Sequence, residues 1–128
     1  MANLTLQGKT QEKYKVELSV NNHTIISDAN PVDGGNAEAV SPKDLFLSSV
    51  AGCKLMTMKM YVDRKGWEVD EIRINMEFDT SRKEDFVINQ SIHITSALDE
   101  DKVQRIKNIA ELCPVAKYMK QGVTFKTV

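Results

Sequence analysis

Cysteine is scarce in this 128-residue chain, which has two, Cys53 and Cys113. Their separation excludes a Cys-x-x-Cys redox motif, and the two histidines, His23 and His93, stand too far from either in sequence to suggest a zinc site. Excess charge of either sign is missing as well. A net charge of -1 gives no electrostatic reason to expect nucleic acid or an anionic membrane as partner. No apolar run approaches a membrane span, and Met1–Lys9 lacks the apolar core of a secretory signal. These absences predict a cytoplasmic protein, whose two cysteines are free or catalytic rather than permanently bridged. There are no repeats, low-complexity tracts or linkers. The length suits a single domain over 1–128, burying roughly two thirds of the unfolded surface.

What is present is alternation and punctuation. Tyr14, Val16, Leu18 and Val20 alternate with polar residues as in a half-buried strand, and Asn21-Asn22 suits the positive φ of a tight turn into a second strand, His23–Ser27. Residues 30–36 form a loop cluster. Ile72, Ile74, Met76 and Phe78 alternate again, and Ile88, Ile92 and Ile94 share one face after the charged connector 81–85, which predicts a second hairpin. Asp99-Glu100-Asp101 opens a helix whose Val103, Ile106, Ala110 and Cys113 fall on one face. Pro114 disfavours helix at Cys113 and can begin a short new helix to Lys120, ended by Gly122. Residues 123–128 read as a last strand. Hairpins mixed with helices predict an α+β fold with antiparallel sheet.

Chemistry concentrates around the two thiols. Ser41, Pro42 and Asp44 open a capped helix, and the stretch through Cys53 is apolar on every side, interrupted only by Lys54 and Lys59. It runs to about Lys65 and stops at Gly66. One small domain has too little sheet to enclose such a helix, which predicts an obligate homodimer. For Cys53 the plain alternative is a small core hydrophobe, and for Cys113 the apolar end of its helical stripe. If Pro114 starts a helix, Cys113 is its N-cap, where free N–H groups favour thiolate.

The pieces Ser41-Pro42-Lys43-Asp44-Leu45-Phe46-Leu47, Ser48-Ser49-Val50-Ala51-Gly52-Cys53 and Leu112-Cys113-Pro114-Val115, in that order and spacing, resemble the OsmC/Ohr family of thiol-dependent hydroperoxide reductases. Asn22–Asp28 followed by Gly34-Gly35 is similar to the family's approach to its central helix. The resemblance runs from about Tyr14 to the C-terminus. It implies an intertwined homodimer, with sheets from the N-terminal hairpin, the middle hairpin and the C-terminal strand around a buried central helix. It also implies reduction of organic hydroperoxides, with Cys53 attacking, Cys113 resolving and an external dithiol reopening the disulfide. No cofactor or metal is implied. Asp44 is a weaker catalytic candidate, since nine residues of helix put it half a turn round from Cys53 and about 13 Å away. Ser49, Val50, Met56 and Thr57 are within reach of Cys53 and are expected to line the pocket for the peroxide or another small apolar ligand.

The sequence departs from the family at its cation. A free thiol with a pKa near 8.5 is only about 3% thiolate at neutral pH. In the family an arginine held by a glutamate supplies positive charge, and one cation about 4 Å away is worth of order 4 kcal/mol at an effective dielectric of 20. Here Asn21-Asn22 occupies the arginine's turn, and Lys43 or Asp44 the glutamate's place. Arg64 is roughly 16 Å down the helix axis, too far to substitute. Lys117, Lys120, Arg82 and His23 remain as candidate cations. The alternative function is a binding or redox-regulatory dimer that has kept the fold and lost the peroxidase.

Overall fold

The structure, a computed structural model, describes residues 4–81 and 83–128; Arg82, one of the candidate cations, lies outside them. The chain divides after Phe46 into two compact units. In the first, β1 (Leu6–Thr10), β2 (Val16–Val20) and β3 (His23–Ser27) form an antiparallel sheet in that order, with Leu6 opposite Val20 and Val16 opposite Ser27. Asn21 and Asn22 have φ of 47° and 65°. Both central residues are therefore left-handed, as a two-residue hairpin turn requires. β1 is absent from the sequence reading. Its Leu-Gln-Gly-Lys-Thr carries no alternating apolar set, and the ladder with β2 is what makes it a strand.

After β3 the chain folds tightly on itself. The buried Ser27 hydroxyl donates to the Val40 carbonyl (2.7 Å), and the buried Asp28 carboxylate accepts from the Ala29 and Glu38 N–H groups at 2.8 and 3.1 Å. The bond from Glu38 holds the Asp28 carboxyl below its ordinary value. Gly35 passes directly over Ala29: a Cβ built on it would lie 1.9 Å from the Ala29 carbonyl oxygen. No side chain fits there. Ser41 and Asp44 close a reciprocal capping box, with the Asp44 N–H donating to Ser41 Oγ (3.2 Å) and the Ser41 N–H to Asp44 Oδ2 (3.4 Å).

The cap opens α1 (Pro42–Lys65), whose greater part runs through the second unit. It ends at Gly66, φ 70°, where the Gly66 and Trp67 N–H groups bond the Asp63 and Val62 carbonyls in a Schellman motif. The second unit continues with β4 (Glu71–Phe78) and β5 (Ile88–Thr95), paired antiparallel with Ile74 opposite Ile92. α2 (Glu100–Ile109) follows, N-capped by Asp99, whose carboxylate accepts from the Lys102 N–H. A 3-10 turn, Ala110–Leu112, leads into α3 (Pro114–Gln121). Met58 and Val62 of α1 meet Ile106 and Ala110 in the core, flanked by Leu55, Trp67, Ile72 and Ile92. Each large apolar side chain removed from water there contributes about 1.5–3 kcal/mol.

One expectation, the last strand, is corrected, and within one chain α1 is covered on one face only, as the shortage of sheet predicts. Its buried residues are Val50, Lys54, Met58 and Val62, one stripe spaced four apart, while Met56 and Met60 are more than 60% exposed. One chain supplies packing partners for one face only. Residues 123–128 form no strand, and Val123 and Phe125 are exposed. Their alternation suits a ladder, but a strand needs a neighbour, and no strand of the described residues pairs with them. The described residues contain no helix long and apolar enough to cross a membrane.

Candidate active site

Pro114 sets the geometry at the second thiol. Its ring excludes helical backbone from the preceding residue, and Cys113 is extended, φ -64° and ψ 131°. The break turns Cys113 into the N-cap of α3: its Sγ accepts from the Ala116 N–H at 3.3 Å. The side chain is fully buried. Cys53, on α1, is half-buried, and both cysteines are free. Cys53 is near enough to Cys113 to disfavour its ionisation.

The acidity of Cys113 follows chiefly from its burial. Burial pushes the Cys113 thiol above its ordinary 9.0, and the hydrogen bond and charge of Cys53 push the same way, while the Ala116 N–H and the Lys54 ammonium oppose them. Cys113 therefore holds its proton more firmly than an ordinary thiol.

The buried cation in this region is Lys54, one of the two lysines that interrupt the apolar stretch of α1. Lys54, next to Cys53, is 94% buried, and lysines are almost never buried without a partner. Its Nζ donates to Gln90 Oε1 on β5 at 2.9 Å and pairs with Glu111 Oε1 in the 3-10 turn at 3.6 Å. Gln90 Nε2 donates to the same Glu111 oxygen (3.3 Å), and Lys120 on α3 reaches Glu111 Oε2 at 3.4 Å. Lys54 foremost, with help from Lys120, holds the Glu111 carboxyl below its ordinary 4.5. By linkage, Glu111 contributes stability present above about pH 4.5 and lost as pH falls. The raised Cys113 pKa acts at the other end, costing stability as pH rises beyond 9.0, where the unfolded thiol ionises first. Glu111 is about half exposed, so solvent screens its share.

The other expected residues are placed as follows. Val50 is buried one turn before Lys54, Ser49 is exposed and Met56 is exposed. Thr57 donates its hydroxyl to the Cys53 carbonyl at 2.8 Å, bonding back into its own helix. Asp44 serves in the capping box. Of the candidate cations, Lys120 joins the network through Glu111, Lys117 is exposed, and His23 is exposed on β3 of the first unit. The sequence held a signal for Lys54: Val50, Met58 and Val62 share its four-residue spacing, so the lysine sits on the buried stripe.

Comparison with known proteins assigns the family. The family model of OsmC-like proteins matches residues 34–128, and the chain belongs to that family. Its fold is similar to that of a putative osmotic stress induced and detoxification response protein from Psychrobacter arcticus, at 23% identity and TM-score 0.77, covering 91% of this chain and 88% of that one. An OsmC-like protein of Mycoplasma pneumoniae is similar at 21% identity and TM-score 0.77, with 95% and 89% covered. An organic hydroperoxide resistance protein, OsmC, of Legionella pneumophila is similar at 16% identity and TM-score 0.64, covering 91% and 90%. No curated protein matches the sequence.

Proposed function

We propose that this protein reduces organic hydroperoxides, with Cys53 as attacking thiolate and Cys113 as resolving thiol. The observation that carries the reading is a pair of free thiols of unequal exposure, one half-buried and one fully buried, with Cys53 near enough to Cys113 to disfavour its ionisation. The accessible sulfur suits attack, and the buried sulfur, holding its proton, suits resolution. The Cys53 thiolate attacks the distal peroxide oxygen; the O–O bond breaks and the alkoxide leaves with a proton as alcohol. Cys53 is then a sulfenic acid. Cys113 displaces its hydroxyl, releasing water and forming the 53–113 disulfide. An external dithiol returns two electrons and two protons, becoming a disulfide itself. The similarity to a hydroperoxide resistance protein supports this reading as a fold-level analogy. With a dithiol present, catalytic consumption of an alkyl hydroperoxide above the dithiol's own background is the expected result, and no excess over background would refute it.

A second reading is a binding or redox-regulatory dimer without peroxidase activity. Asn21-Asn22, standing where the hydroperoxide reductases place an arginine, favours it. Both readings take the protein as a homodimer. Met56, Met60, Tyr118, Val123 and Phe125 of the second unit are exposed, more large apolar surface than a monomer usually leaves open. A second copy would cover the open face of α1 and give residues 123–128 a strand to pair with. Sedimentation is expected to give twice the chain mass at low micromolar concentration; a stable folded monomer would contradict the dimer.

A further inference from the structure

Two side-chain interactions join the same two pieces of chain. Cys53 of α1 meets Cys113, and the next residue, Lys54, meets Glu111, two positions before Cys113. We propose that Lys54, held in place by Glu111 and Gln90, is the cation that keeps a thiolate in the Cys53–Cys113 pair, with Glu111 as its positioning residue. Burial makes the charge effective. Lys54 is 6% exposed, so water screens it little. The Lys54 charge does reach Cys113, where it favours the thiolate.

The charged groups around this position come from three elements. α1 contributes Lys54 itself, the 3-10 turn contributes Glu111, and α3 contributes Lys120, which also binds Glu111. β5 contributes the uncharged Gln90. Glu111 therefore has two opposed effects. It holds the buried ammonium in place, and its own negative charge partly offsets what Lys54 does to the thiols. Lys120 neutralises part of that offset. A lysine held by a glutamate at this place needs no residue from the Asn21-Asn22 turn.

The inference rests on the proposed thiol role for its catalytic meaning, but its readout does not. Alkylation of Cys53 by iodoacetamide, followed by peptide mass across pH 5–10, reports thiolate whether or not the protein turns over peroxide (the window is about that needed to bracket a thiol). Lys54→Met is expected to shift the profile up by about one pH unit, a roughly tenfold slower reaction at neutral pH, and Lys54→Arg to hold it near the wild type. Glu111→Gln is expected to shift the profile up as well, by less than Lys54→Met, because the ammonium loses the carboxylate that holds it. A folded Lys54→Met protein with the wild-type profile would overturn the inference. If Lys54→Met does not fold, Glu111→Gln decides, and a profile that fails to move up overturns it. A merely structural lysine would move the melting temperature and leave both profiles in place.

Discussion

Replacing Cys53 by serine is expected to abolish hydroperoxide reduction, lowering the turnover rate by at least about a thousandfold. The reason is chemical rather than structural. A serine hydroxyl is hardly ionised at neutral pH, while the swap of sulfur for oxygen at a half-buried helical position removes little packing. Melting is therefore expected to stay close to wild type. Cys113→Ser should behave differently. The first turnover survives, because the attacking sulfur is intact, and Cys53 then accumulates as sulfenic acid that a 1,3-diketone traps. Undiminished turnover in Cys53→Ser would sink the mechanism. Undiminished steady turnover in Cys113→Ser would remove Cys113 from it.

The second large effect belongs to folding. Gly35→Ala is expected to cost at least about 3 kcal/mol, because the added methyl would lie 1.9 Å from the Ala29 carbonyl oxygen and 2.4 Å from its carbon. Neither atom belongs to a flexible side chain. Moving Ala29 also pulls at the Ala29 N–H bond to Asp28 and at the bond from the Ala37 N–H to the Ala29 carbonyl. For a chain of this length a loss of that size lowers the melting temperature by about 10 °C. A Gly35→Ala protein that melts with the wild type would show that the loop relaxes freely there.

Where the sequence names its own backbone geometry, the fold was legible. Asn21-Asn22 announced a left-handed turn, Ser41 and Asp44 announced a capping box, and Pro114 announced that Cys113 would leave its helix. Each is a local rule acting within a few residues. Legibility failed where a partner decides. β1 has no pattern of its own and exists because β2 offers an edge, whereas residues 123–128 have the pattern and no neighbour among the described residues. The N-cap place of Cys113 was legible because a proline follows it. Lys54 was not, because a lysine is priced as surface until its partners are known. Gln90 and Glu111, far away in sequence, turn a buried charge from a cost into a held cation. Removing Glu111 alone would leave that charge with less than it needs.

The central claim is that two neighbouring thiols of one chain act on a peroxide as a unit. Titrating the fully reduced protein with an alkyl hydroperoxide, with no dithiol added, tests it most directly. The account predicts that one equivalent of peroxide is consumed per chain. Both thiols should disappear together, the mass should fall by about two units through loss of two hydrogens, and a single peptide should carry Cys53 joined to Cys113. Peroxide left unconsumed with both thiols intact would contradict the account.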